Sequence, residues 1–126
     1  ATNNGDDGFI MKFSNSGALN WSTFFGGASQ DIIYSASCDN SGNIFIVGAT
    51  SSTSGFPIQN LTGAYNDPTQ NGNIDGFVAK FSSALSLSWS TYFGGNQDDA
   101  EVNSAIDNSN NLIIEGRTNS IFNRFS

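Results

Sequence analysis

The side chains best suited to chemistry in this chain are carboxylates. Asp98, Asp99 and Glu101 lie within four positions of one another, and Asp31 is the equivalent of Asp99 in an earlier copy of a sequence repeat. Carboxylate oxygens grouped in this way are hard ligands of the kind calcium takes. Their place just after a Gly-Gly pair explains them equally well as loop residues. The stretch Asp39-Asn40-Ser41-Gly42-Asn43 has a faint likeness to a calcium loop. It lacks the 12-residue frame and the terminal bidentate Glu, and reads as a hairpin turn.

Other chemistry is hard to assemble. The sequence has no histidine, which removes Ser-His-Asp and Cys-His catalysis and most zinc sites. The lone cysteine, Cys38, has no evident base to activate it. Its repeat equivalent is Ile106, so the slot reads as packing. The two glutamates, Glu101 and Glu115, are placed by no glycosidase-like motif. Phe24, Phe25, Tyr92 and Phe93 could line a sugar site, although strand alternation assigns half of them to a core. No catalytic residue is expected, and no enzyme.

Composition narrows the partners. Eleven acidic residues face only four basic ones, for a net charge of −7. Such a chain repels phosphate backbones and anionic bilayers, so no nucleic acid and no membrane insertion are expected. A charged fraction of 12% is about half the usual share, the balance being Asn, Ser, Thr and 14 Gly, and these residues favour turns over helices. The same Lys-poor composition points to a secreted or cell-surface bacterial protein.

The elements that position these residues repeat. Asp7-Gly8-Phe9-Ile10-Met11-Lys12-Phe13 returns as Asp75-Gly76-Phe77-Val78-Ala79-Lys80-Phe81, an offset of 68. At the same offset Trp21-Ser22-Thr23-Phe24-Phe25-Gly26-Gly27 returns as Trp89-Ser90-Thr91-Tyr92-Phe93-Gly94-Gly95, and Asp39-Asn40-Ser41-Gly42-Asn43 as Asp107-Asn108-Ser109-Asn110-Asn111. The copies span about 7–74 and 75–126. Each reads as four short alternating strands: Phe9 to Phe13, Leu19 to Phe25, Ile32 to Cys38 and Ile44 to Val47. Gly42 and Asn110 share a slot, as expected of a turn position with positive φ. A long irregular connection from Thr53 to Ile74 joins the units.

These blocks resemble the SBBP family of bacterial β-propeller repeats. Asp7-Gly8-Phe9 and Asp75-Gly76-Phe77 fit its D-A-F-V-x-K-F strand, and Trp21 to Gly27 and Trp89 to Gly95 fit W-S-T-Y-L-G-G. Asp39 to Gly48 and Asp107 to Gly116 fit V-D-x-x-G-N-x-Y-V-T-G, and Gly55-Phe56-Pro57 fits its F-P. Leu85 in place of Gly17, and Glu115 in place of Val47, depart from the pattern.

The resemblance implies an all-β β-propeller repeat segment over residues 1–126, of about two four-stranded antiparallel blades. The strands fall as two, four and two, so the segment is expected to be cut mid-blade at both ends. Ile32 to Cys38 is expected as an innermost strand covered on both faces. An open piece would expose the inter-blade faces carrying Trp21, Tyr34 and Ile46. The expected role is a non-catalytic scaffold or adhesion module of a secreted or surface protein. The competing readings are a lectin-like carbohydrate-binding propeller and an accessory domain of a larger secreted enzyme. The expected partners are further blades, from the same longer chain or from other copies, and protein or glycan surface ligands.

Overall fold

A computed structural model describes residues 5–121, apart from the side chains of Glu101 and Val102. Among the described residues there are eight strands and no helix. They are β1 (Gly8–Phe13), β2 (Leu19–Phe25), β3 (Asp31–Cys38), β4 (Ile44–Thr50), β5 (Asp75–Phe81), β6 (Leu87–Phe93), β7 (Asp99–Ile106) and β8 (Leu112–Thr118). Most of these bounds follow the period-two runs and stop at the Gly, Asn and Ser clusters. β4, however, runs past the expected end at Val47, through Gly48 to Thr50, because β5 pairs with it along its whole length.

The strands form three antiparallel sheets, ordered β1-β2, β3-β4-β5-β6 and β7-β8. The central sheet therefore straddles the boundary between the two sequence copies. Its middle pairing joins β4 to β5 without a bulge, from Ile44↔Phe81 through Ile46↔Ala79 to Thr50↔Asp75. The connection 51–74 runs beside β6 rather than away from it. Trp89 Nε1 donates to the Tyr65 carbonyl at 2.9 Å, and the Tyr92 amide donates to the Asp67 carbonyl at 3.1 Å. Covering β6 in this way satisfies an edge that would otherwise present unpaired groups.

The repeat extends to local irregularities. Register shifts fall between Lys12 and Phe13 and between Lys80 and Phe81, the same slot in each copy. The β3–β4 and β7–β8 hairpins share a second one, at Ile33/Ser35 and Ala100/Asn103. Gly42 and Asn110 both take positive φ, 81° and 65°. Leu85 keeps the conformation of Gly17, with φ 66° against 83°. A branched side chain is strained there, and packing of Leu85 against the core offsets that strain.

The sheets stack face to face. Ile10, Trp21 and Phe25 of the first sheet pack on Ile44, Ile46, Phe77, Ala79 and Phe81 of the second. Phe25 meets Phe77 and Phe81 at ring-centroid distances of 5.5 and 5.9 Å, and Trp21 meets Phe81 edge-on at 5.3 Å. Phe56, from the connection, closes this cluster against Phe25, Phe77 and Tyr92. On the opposite face Val47 and Val78 meet Trp89, Phe93, Leu112 and Ile114.

Three sequence expectations change here. β3 is not the covered strand: Ile32 and Tyr34 are exposed, while every residue of β4 is buried. The reason is position in the sheet, because β3 is an edge and β4 lies between two neighbours and two layers. Cys38, near the end of that edge, is exposed rather than packed. Ile46 is fully buried, since the β1–β2 sheet already covers it.

Candidate functional site

Four of the described carboxylates, Asp7, Asp31, Asp75 and Asp99, gather at one repeated place, the Gly-Gly turns that follow β2 and β6. Asp31 accepts from the Gly27 amide at 2.7 Å and from Ser52 Oγ at 2.9 Å, both on Oδ2. Asp99 does the same in the second copy, from the Gly95 amide at 2.7 Å and Ser120 Oγ at 3.0 Å. Both side chains are buried.

A second acid completes each turn. A Cβ on Gly26 would lie 2.6 Å from both Asp31 Oδ2 and Asp7 Oδ1. A Cβ on Gly94 would lie 2.7 Å from Asp99 Oδ2 and 3.3 Å from Asp75 Oδ1. Each turn is thus a paired carboxylate around a glycine that leaves room for it, Asp7 with Asp31 and Asp75 with Asp99. Grouping Asp98, Asp99 and Glu101 by adjacency missed this pairing. The available signal was the repeat itself, which keeps Asp at 7 and 75 as well as at 31 and 99.

The donors identify what the pairs do. Asp75 accepts from the Asn71 amide at 2.7 Å and the Gly72 amide at 3.1 Å. Together with Asp31 and Asp99, it clamps the loops at one end of the stack. Asp7 Oδ1, Asp31 Oδ1, Asp98 Oδ1 and Asp99 Oδ1 are buried with no hydrogen-bond partner. Asp98 is half-buried, and the side chain of Glu101 lies outside the described residues. Among the described residues no group of three or more His, Cys, Asp or Glu side chains is placed to hold a metal ion.

The loop with a likeness to a calcium site is saturated by its own chain. Asp39 Oδ1 accepts from the Ser41 and Asn43 amides, each at 2.9 Å, and Oδ2 accepts from Asn43 Nδ2 at 2.7 Å. Asp107 repeats the pattern with Ser109 and Asn111. The Asn43 and Asn111 side-chain bonds, joined by backbone donors, hold both carboxyls below their ordinary range. With Asp31, Asp75 and Asp99 each held by N–H or O–H donors, millimolar calcium is expected to leave the melting temperature unchanged. A cation that bound only the folded chain would raise it by mass action. A calcium-dependent rise abolished by Asp99→Ala would show that a site exists.

Asp75 titrates differently. Burial pushes its pKa up from 3.8 to about 6, and the nearby Asp99 charge adds to the rise against its backbone donors. The folded chain therefore holds this proton more tightly than the unfolded one. The stabilisation is complete below the unfolded value and is lost as pH climbs from about 4 to about 6, amounting to about 3 kcal/mol at most. Urea midpoints are expected to fall across that window, and Asp75→Asn to flatten the dependence. An unchanged slope in the variant would refute the assignment.

Beside this end lies a groove of about 640 Å³, lined by Tyr65, Val78, Trp89, Phe93, Ile114 and Arg117 among others. Of the aromatics named from sequence, Phe25 and Tyr92 are core, Phe24 is exposed, and Phe93 lines this groove. No protein-family model matches the chain, and comparison with curated proteins finds no relative. The molecule is defined by its own architecture, an all-β repeat of three stacked antiparallel sheets.

Proposed function

We propose that the chain is a propeller-repeat segment serving as a non-catalytic scaffold or adhesion module of a secreted or cell-surface bacterial protein. The observation that carries this reading is the phase of the sheets against the repeat. A complete four-stranded sheet forms from the second half of one copy and the first half of the next, and the remaining halves stack on its two faces. Face-to-face stacking of such sheets at a fixed sequence period is how radial repeat proteins bury their cores. The carboxylates support a structural role, since they hold turns together. Two of them, Asp31 and Asp99, take an amide and a hydroxyl each on one oxygen.

Carbohydrate binding is the competing reading. The groove beside Trp89 and Tyr65 favours it, because aromatic faces with a few polar groups suit a sugar ring. The discriminating experiment combines three measurements on the purified chain and the cells that make it. Hydrolysis of ester, peptide, glycoside and phosphate substrates is expected to be nil. Antibody against the chain is expected to label intact cells or culture medium. Turnover by the chain, or confinement to the cytosol, would overturn the proposal, and selective glycan-array binding would replace it with the lectin reading.

A further inference from the structure

The two outer sheets match, strand for strand, the two halves of the central four-stranded sheet. At the offset of 68, β7 and β8 correspond to β3 and β4, while β1 and β2 correspond to β5 and β6. In the central sheet β4 pairs with β5, yet in the outer sheets no strand among the described residues pairs with the second edge of β8 or of β1. Exposure follows this difference at equivalent positions. Phe77, Ala79 and Phe81 are 0%, 0% and 5% exposed, whereas Phe9, Met11 and Phe13 are 64%, 52% and 55% exposed. β4 is buried throughout, and β8 is exposed or half-buried throughout.

We infer that a second copy of this chain docks here, its β1 adding to β8 in the register that β4 and β5 display. Transposed from that pairing, Ile114 lies opposite Met11 of the second copy, and Gly116 opposite Phe9. The resulting sheet has the order β7-β8-β1-β2, the last two strands coming from the second copy. Strand addition supplies backbone hydrogen bonds, and side-chain pockets set its register.

The groove is the matching socket. Phe81 packs on Trp21 and Phe25, and Phe77 on Phe25. The equivalents of Trp21 and Phe25 are Trp89 and Phe93, which line the 640 Å³ groove beside β8. Phe13 of the second copy therefore meets Trp89 and Phe93, and its Phe9 meets Phe93. Trp89 is already held in place by its hydrogen bond to the Tyr65 carbonyl. Glu115, which replaces the apolar Val47 of the first copy, falls diagonal to Lys12 of the second chain on the same face, within reach of a cross-strand ion pair. The contact is head-to-tail, so it propagates into a ring or an open array.

This inference rests on the repeat reading above, but its test reads docking alone. Met11→Cys and Ile114→Cys, each made with Cys38→Ser, are mixed and oxidised, and the cross-linked pair is identified by mass. Directly opposed residues on antiparallel strands are within disulfide reach. The expected result is cross-linking about tenfold or more faster than for Lys12→Cys with Ile114→Cys, whose side chains point to opposite faces. Equal rates would overturn the register.

Sedimentation supplies the second measurement. The wild-type chain is expected to show a mass that rises with concentration. Phe9→Asp with Phe13→Asp is expected to weaken association by about tenfold or more at unchanged circular dichroism, since both side chains are exposed in the single chain. A wild-type chain that stays monomeric to about millimolar concentration, or one whose association ignores these substitutions, would overturn the inference. The substrate and localisation results would be untouched by either outcome.

Discussion

Phe77→Ala is expected to destabilise the chain by about 3–5 kcal/mol, while Phe9→Ala, the same slot in the other copy, costs under about 0.5 kcal/mol in dilute solution. Phe77 is fully buried between two layers, with Phe25 and Phe56 against its ring at 5.5 and 5.1 Å. Truncation removes that transfer free energy and leaves a cavity, because rings held on neighbouring strands can close in only partly. Phe9 projects from an open sheet face and has little to lose. Urea unfolding of the two variants at low micromolar concentration measures the contrast. Equal losses would mean that the outer face of β1 is covered within the single chain.

Gly48→Ala is expected to cost about 3 kcal/mol or more, at the upper end of the overpacking range. Gly48 sits mid-strand in β4, paired with Ile33 on one side and Phe77 on the other. A Cβ there would run into the Ile32 carbonyl oxygen and come within 2.8 Å of Phe77 Cε1 and Cζ. The register shift of β3 between Ile33 and Ser35 lies beside this position. Neither obstacle is a flexible tip: one is backbone and the other a ring fixed on two faces. Gly17→Ala is the control, where nothing lies within 4 Å but φ is +83°, and only the left-handed backbone cost of about 1–2 kcal/mol applies. A Gly48→Ala loss no larger than that of Gly17→Ala would show that β3 yields freely at its bulge.

Much of this architecture was legible in the residues. All eight strands follow from alternation and turn chemistry, because side chains on a strand must divide between two faces. The two-four-two grouping follows from where the repeat starts. The exchange of Gly42 for Asn110 marked the left-handed turn position, and the structure places both at positive φ. The sequence also showed Leu85 departing from Gly17, without showing that the turn keeps its shape and that packing offsets the strain.

Burial was not legible strand by strand. Ile32-Ile33-Tyr34 is as apolar as Ile44-Phe45-Ile46, yet the first is largely exposed and the second buried. Composition cannot tell an edge from a centre, because that depends on which strand lies alongside. The pairing of the turn acids was not legible for a related reason. Asp98, Asp99 and Glu101 are neighbours in sequence, but the pairs that share a turn are Asp7 with Asp31 and Asp75 with Asp99, each 24 residues apart.

By itself the sequence determined the strand inventory, the repeat, the turn positions and the absence of histidine chemistry, all of which depend on residue type and local spacing. Only the tertiary structure decided which strands are covered, which carboxylates meet, and which sheet edges stay open. Those properties arise when segments distant in sequence are brought side by side. The same Asp-Gly-Phe strand is a buried centre as β5 and an open edge as β1, and what separates them is whether a neighbouring strand is present to pair with it.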